Sequence, residues 1–133
     1  MLAQKLRDDG VTSEIIRGDV SAANRTQIFD RFQSTPDPKV LVIQPQSAAH
    51  GVTLTAANTI VWWGPTSSLE TYLQANARIH RAGQDHKCTV IQLAGSAAEK
   101  RIYRMLDERI NIHTAMIDLY LSLIHISEPT RPY

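Results

Sequence analysis

At positions 74–84 the chain carries the stretch Gln74-Ala-Asn-Ala-Arg78-Ile-His-Arg81-Ala-Gly83-Gln84. Its glutamine and two arginines stand at offsets of zero, four and seven residues, which predicts one stripe on one face of a helix. A guanidinium group stays charged and can bind two oxygens at once, so the stripe suits a phosphate ligand. The spacing alone leaves a solvated basic helix face as an open alternative. The closing glycine and glutamine predict that the helix stops there.

The composition is that of one soluble globular domain. The chain has 133 residues, of which 43% are hydrophobic and 20% are charged, and its formal net charge is +1. These values allow a hydrophobic core and argue against wholesale disorder or a polybasic tail. Cys88 is the only cysteine, which excludes an internal disulfide and a cysteine metal cluster. Without a signal peptide or an apolar run of spanning length, we expect an intracellular protein with no membrane partner.

The apolar pattern alternates between helical and extended segments. Four runs predict parallel strands buried on both faces: Ser13–Arg17, Val40–Ile43, Ile60–Trp63 and Thr89–Leu93. A helix is predicted for Ser21–Gln33, and capping boxes that begin at Ser67 and at Ser96 predict two more helix starts. Strands separated by helices predict an α/β fold, a three-layer α/β/α sandwich with a mostly parallel sheet.

Ligands of such sheets gather beyond the carboxyl ends of the strands. Three loops qualify by position: Gly18–Val20, Gln44–Gly51 and Gly64–Ser67. The second is the most unusual, because its small residues would let the backbone approach a ligand closely. The position and composition of the 44–51 loop therefore predict a ligand-contacting segment.

These segments together resemble the second lobe of Swi/Snf-type DNA translocases, a branch of the superfamily-two helicases. The pattern Gln74-x3-Arg78-x2-Arg81-x-Gly83-Gln84 resembles their sixth motif. Their fifth motif resembles Ser47–Leu54 and Thr55–Asn58. The segments Ile60–Gly64 and Ser68–Gln74 resemble the phage and prophage branch of the family, and Ile16-Arg-Gly18 resembles the segment that opens the lobe. The resemblance spans about residues 1–118 and implies an incomplete RecA-like fold of the P-loop NTPase class.

The resemblance also implies roles for single residues. Arg78 and Arg81 would reach ATP across a cleft as catalytic residues, supported by Gln74, and Gly51 would join these three in binding the nucleotide. Contacts to the DNA backbone would come from Ser47, Ala48, His50 and Thr53, with Thr53 in the place of the usual asparagine. Ala48 and Ala49 stand where glycines are common, and Ala77 replaces a frequent acidic residue.

Two elements of the family's nucleotide site are missing from this sequence. There is no G-x-x-x-x-G-K-[ST] loop and no acidic segment for Mg²⁺. ATP with Mg²⁺ would therefore be held mainly by a first, N-terminal RecA-like lobe that precedes this chain. We expect an ATP-dependent double-stranded DNA translocase or helicase in the full-length protein of a prokaryotic or phage-infected cell, and no ATPase activity from this fragment alone.

Two other functions stay open at this stage. One is a non-catalytic nucleic-acid-binding module on the same fold, and the other is an RNA or single-strand helicase lobe. No metal site is expected, because His80, His86 and His113 lack metal-ligand spacing. Of the adjacent Trp62 and Trp63, at least one is expected in the core, although either could stack on a base.

The C-terminal tail has a resemblance of its own. Leu121–Arg131 resembles the in-frame translation of a transposase-based sequencing-library adapter, and a native strand with a proline-rich end is the alternative. We therefore expect the helicase lobe in residues 1–120 and a non-native tail in residues 121–133.

Overall fold

The computed structural model describes residues 2–48 and 52–127. Helices and strands alternate along them in this order: α1 (Leu2–Asp8), β1 (Ser13–Ile16), α2 (Ala22–Ser34), β2 (Val40–Ile43), the 3₁₀ helix η1 (Pro45–Ala48), β3 (Thr59–Trp62), α3 (Leu69–Asn76), β4 (Thr89–Gln92) and α4 (Ala97–Ser127). All four predicted strands are present, with bounds displaced by at most one residue. The expectation that they are buried on both faces is wrong for β3 and β4, where Val61, Val90 and Ile91 are exposed. The prediction of an α/β fold is confirmed.

All strand pairs among the described residues are parallel. β1 pairs with β2 from Ser13–Val40 to Ile16–Ile43, and β3 pairs with β4 in the register that sets Trp62 opposite Gln92. The described strands form two sheets of two strands rather than one continuous sheet, because β2 and β3 are not paired with each other. Parallel neighbours need a crossover connection. Here α2 links the first pair and α3 links the second.

A cluster of large side chains packs α3 and α4 onto β3. Its fully buried members are Trp62, Tyr72, Ala75, Tyr103 and Leu106. The Trp62 and Tyr72 ring centroids lie 4.9 Å apart at 33°. The polar tips of the aromatic residues are satisfied within the cluster, as buried tryptophan and tyrosine require. Trp62 Nε1 donates to Asn76 Oδ1 at 2.9 Å, and the Tyr103 hydroxyl donates to the Leu93 carbonyl at 2.8 Å.

The two adjacent tryptophans have opposite environments. Trp62 is 5% exposed and Trp63 is 68% exposed, so the prediction that at least one lies in the core is confirmed. In the same core, burial raises the pKa of the Tyr103 hydroxyl, with smaller contributions from Glu99 and then Tyr72. The pKa shift agrees with a hydroxyl that stays protonated and donates to a backbone carbonyl.

Helix α3 begins one residue later than predicted. The N-cap is Ser68, whose backbone is extended (φ −93°, ψ 114°) and whose Oγ accepts from Thr71 N at 3.2 Å. The predicted capping box beginning at Ser67 is therefore wrong in register. The carboxylate of Glu70 does not return to the cap and accepts instead from Gln74 Nε2 at 3.1 Å.

This register gives a testable pair of substitutions. We expect Ser68→Ala to lower the free energy of unfolding by about 1 kcal/mol, because it removes the side-chain acceptor for an N-terminal amide of α3. Ser67→Ala, which leaves that bond intact, should stay within about 0.5 kcal/mol of the unmodified chain. Urea unfolding of the two variants measures the difference. A larger loss for Ser67→Ala would contradict the assigned cap.

Helix α4 begins where the second capping box predicted. Ser96 Oγ accepts from Glu99 N at 3.2 Å, and the Glu99 carboxylate reaches back to Gly95 N at 2.7 Å. The helix continues to Ser127, so the alternative of a native strand after Leu121 is wrong for the described part of the tail. The adapter origin of that tail stays a prediction. None of the helices in the described residues is long and apolar enough to cross a membrane.

Candidate functional site

Arg78 and Arg81 lie in turns after the end of α3. The helix stops at Asn76, so Gln74 lies on α3 but the two arginines do not. The prediction that all three share one face of a helix is therefore wrong. The helix ends where Arg78 N donates to Ala75 O at 3.2 Å instead of to Gln74 O, which accepts from Arg78 Nε. The turn that follows is held by Leu54 N, which donates to Arg78 O at 2.9 Å. Gly83 then takes the left-handed conformation at φ 96°, which favours glycine and turns the chain toward β4.

Both guanidinium groups meet at one backbone carbonyl. Arg81 Nη1 donates to Val52 O at 3.1 Å and to Thr53 Oγ1 at 3.2 Å. Arg78 Nη1 lies 3.5 Å from the same Val52 O, and Arg78 Nε donates to the Gln74 carbonyl at 2.7 Å. The segment that starts at Val52 therefore brings the two arginines side by side, although they no longer share a helix face.

The two arginines differ in exposure. Arg78 is 9% exposed, whereas Arg81 is exposed to solvent. Burial lowers the pKa of the Arg78 guanidinium below its ordinary value, and the nearby charge of Arg81 lowers it further. A buried cation beside an exposed one gives this end of α3 a positive potential, which attracts anions. Arg78 is the fixed member of the pair and Arg81 is the accessible one.

Gln74 supports Arg78 through its backbone rather than its side chain. Its carbonyl accepts from Arg78 Nε, while its amide group donates to Glu70 Oε1 at 3.1 Å. The side chain is half-buried on the last turn of α3. The predicted roles of Gln74, to support the arginines and to bind the nucleotide, stay predictions, because the observed bond uses a main-chain carbonyl that any residue would offer.

Two glutamines that the sequence analysis did not assign to the site hold the residues after Thr53. The Gln33 amide forms a clamp: Nε2 donates to Thr55 Oγ1 at 3.2 Å and Oε1 accepts from Ala56 N at 2.7 Å. Gln84 Nε2 donates to Ala57 O at 2.7 Å and to Ile79 O at 2.9 Å. Gln84 is the last residue of the 74–84 stretch, so the sequence offered a signal for it. The sequence around Gln33 offers no such signal, because its partners lie more than twenty residues away in the chain.

Part of the predicted 44–51 loop forms η1. Helix α3 packs against η1, and Ser47 there is 8% exposed, which leaves little of it for a phosphate to touch. Ala48 is the last residue of η1. His50 and Gly51 lie outside the described residues, so their predicted contacts to DNA and nucleotide stay predictions.

The loops after β1 and β2 are joined as the parallel arrangement requires. Gln44 N donates to Ile16 O at 3.0 Å, and the Gln44 side-chain Oε1 accepts from Gly18 N at 3.3 Å. Arg25 from α2 adds bonds to the carbonyls of Arg17 and Gly18. These contacts fix the carboxyl edge of the first sheet next to the start of η1.

The two guanidinium groups give the site the chemistry of an anion site. Paired guanidinium groups fit the phosphate end of a nucleotide such as ATP. Within residues 2–48 and 52–127, no group of three or more histidine, cysteine, aspartate or glutamate side chains could hold a metal ion. The described residues therefore offer a partner for phosphate but no carboxylate set for Mg²⁺.

Comparisons with known proteins identify the kind of domain that this chain forms. Residues 1–83 match the helicase conserved C-terminal domain. The DNA annealing helicase and endonuclease ZRANB3 of Homo sapiens is 30% identical over 102 residues, which cover 73% of this chain and 9% of that protein. The C-terminal part of the Fun30 ATPase domain superposes with a TM-score of 0.72 at 20% identity, covering 79% of this chain and 34% of that one. The C-terminal domain of the DEAD-box protein Dbp5 gives a TM-score of 0.69 at 21% identity, with coverage of 82% and 62%.

The chain belongs to the helicase conserved C-terminal domain family and forms the second RecA-like lobe of a superfamily-two helicase. It spans about a tenth of the length of the curated relatives that it matches. The family therefore fixes the kind of lobe, whereas the activity of the whole protein is a matter for proposal.

Proposed function

We propose that this chain is the second motor lobe of an ATP-dependent double-stranded DNA translocase of the Swi/Snf type, from the phage and prophage branch. In this proposal the lobe supplies Arg78 and Arg81 to ATP that is bound, with Mg²⁺, on an N-terminal RecA-like lobe of the same protein. The observation that carries it is the convergence of both guanidinium groups on Val52 O, because two adjacent cations at one point match a polyphosphate.

The two arginines would divide the work. In phosphoryl transfer the protein mainly positions groups and neutralises charge that spreads over the transferred phosphoryl oxygens. Arg81 is exposed and would reach those oxygens when the two lobes close. Arg78 is buried, and its bond to the Gln74 carbonyl would fix the backbone from which Arg81 extends. Closure of the lobes would thus complete the site only while ATP is bound.

The nucleic-acid surface would lie on the segment before the arginines. Ser47 and Ala48 end η1, His50 and Gly51 come later in the sequence, and Thr53 directly follows Val52, whose carbonyl both arginines contact. Backbone amides and small side chains would meet phosphates there, a contact that positions a duplex without reading its sequence. The proposed DNA and ATP surfaces are therefore consecutive in the chain, so that one could influence the other.

The choice of nucleic acid is tested with the full-length protein. We expect duplex DNA to stimulate ATP hydrolysis severalfold more than single-stranded DNA or RNA of equal length, with an apparent affinity that falls as salt rises. A coupled ATPase assay across a salt series measures both. Stimulation by RNA or single strands alone would favour the RNA or single-strand helicase, and salt-dependent DNA binding without any nucleotide response would favour the non-catalytic module.

A further inference from the structure

Thr53 has a partner that its predicted nucleic-acid role did not include. Its Oγ1 accepts a hydrogen bond from Arg81 Nη1 at 3.2 Å, next to the bond from the same nitrogen to Val52 O at 3.1 Å. Two oxygens on consecutive residues thus bind the two hydrogens of one guanidinium nitrogen. A nitrogen held at two points has a fixed direction, whereas a nitrogen held at one point can swing about it.

The backbone behind Thr53 is held independently of Arg81. Leu54 is 5% exposed and its N–H donates to Arg78 O at 2.9 Å. Beyond it, the Gln33 clamp holds Ala56 and the Gln84 amide holds Ala57. These bonds come from α2, from the turn after α3 and from the segment before β4. Thr53 therefore stands on a braced segment, and its hydroxyl is placed before Arg81 binds it.

We propose that Thr53 is a positioning residue for Arg81: together with the Val52 carbonyl, its hydroxyl aims the exposed guanidinium group toward the transferring phosphate. This inference rests on the proposed function and deepens it, because it moves Thr53 from the nucleic-acid surface to the support of the arginine. The side chain acts through Arg81 and touches neither ATP nor DNA. Its effect is on the rate of the bound complex rather than on the binding of either ligand.

The test uses two substitutions of Thr53 in the full-length protein. Thr53→Val keeps the branched shape but removes the hydroxyl, and we expect it to lower kcat about tenfold, since hydrogen bonds to charged groups are the stronger ones. Thr53→Ser keeps the hydroxyl and should return kcat to within about twofold of the unmodified protein. KM for ATP and the Kd for duplex DNA should stay within about twofold in both variants, because the hydroxyl binds neither ligand.

The controls separate this inference from the function on which it rests. Thr26→Val makes the same change on the exposed side of α2, where the hydroxyl bonds only its own helix at Ala22 O, and should leave kcat unchanged. If Arg81→Ala abolishes turnover while Thr53→Val leaves kcat within twofold, the positioning role is wrong and the motor function stands. A joint loss of kcat and duplex affinity in Thr53→Val, or no recovery with serine, would also overturn it. If Arg81→Ala itself leaves turnover intact, the proposed function and the positioning role both fail.

Discussion

Replacement of Arg81 by alanine in the full-length protein is expected to lower kcat for ATP hydrolysis by about 10³–10⁵, the range that an arginine at a transferring phosphate contributes. The effect should fall on kcat and leave the Kd for ATP within a few fold, because the first lobe would dominate nucleotide binding. The physical reason is the exposure of Arg81: Arg78, the other cation at Val52 O, is buried, so Arg81 is the one of the two that can reach a transferring phosphate. Single-turnover hydrolysis with nucleotide binding measured in parallel separates the two quantities.

Arg78→Ala should also abolish turnover, for a partly different reason. Arg78 is buried, and its removal deletes a cation and also leaves the Gln74 carbonyl without its 2.7 Å donor. We therefore expect Arg78→Ala to lower the free energy of unfolding as well, by about 1–3 kcal/mol, whereas Arg81→Ala should not. Urea unfolding beside the kinetic assay distinguishes the fixed arginine from the accessible one.

A matched control is available on α4. Arg101 is exposed and lies outside the site, so Arg101→Ala removes the same charge from the lobe without removing a proposed catalytic group. Its kcat should stay within about twofold of the unmodified protein, since surface substitutions away from special features have small effects. A fall of less than about tenfold for Arg81→Ala, or an equal fall for Arg101→Ala, would contradict the assignment of the arginine finger.

The strands could be predicted from the sequence because their signal is local. Val40–Ile43 is a continuous apolar run, and the structure reproduces its bounds without change. The helix starts depended on single side chains, and there the local signal was ambiguous. Ser67 and Ser68 are chemically identical caps, and only the extended backbone at Ser68 decides between them. Burial patterns thus define the elements, whereas their ends depend on one or two hydrogen bonds.

The end of α3 could not be predicted for a different reason. The run from Gln74 to Arg81 keeps helical spacing, and no proline or glycine interrupts it before Gly83. The helix stops at Asn76 where Arg78 N donates to Ala75 O, and the turn that follows is held by Leu54, more than twenty residues earlier in the chain, whose N–H donates to Arg78 O. A bond between distant segments leaves no mark in either one. The role of Val52 could not be predicted either, because both arginines contact its backbone carbonyl and its side chain carries no polar group.

The candidate site was predictable in its residue types and not in its geometry. The sequence identified Arg78 and Arg81 by their spacing and by their resemblance to a motif. It assigned Thr53 to the nucleic acid because the residue stands where the fifth motif of the resembled family usually has asparagine. Only the structure brings the Thr53 hydroxyl within 3.2 Å of Arg81. Motif order thus indicates which residues share a site, and contacts decide which of them hold one another.

The largest stability effect is expected at Trp62, and its neighbour provides the comparison. Trp62→Ala should lower the free energy of unfolding by about 3–5 kcal/mol, the cost of removing a large buried aromatic side chain. That loss is a large part of the 5–15 kcal/mol that typically separates folded from unfolded domains, so the variant should unfold at a much lower urea concentration. Trp63→Ala, at a side chain 68% exposed, should stay within about 0.5 kcal/mol. Far-UV circular dichroism follows both transitions without depending on tryptophan fluorescence.

A third variant separates packing from hydrogen bonding at the same position. Trp62→Phe keeps an aromatic ring against Tyr72 but removes the Nε1–H that donates to Asn76 Oδ1 at 2.9 Å. Leaving that oxygen unpaired should cost about 1–3 kcal/mol, less than the loss of the whole ring. The bond joins β3 to the last residue of α3, the point from which the chain turns toward Arg78 and Arg81. If Trp62→Phe matched the unmodified chain in urea, the bond would add nothing to the core, and the direction of that turn would depend on ring packing and on the Leu54 bond to Arg78 alone.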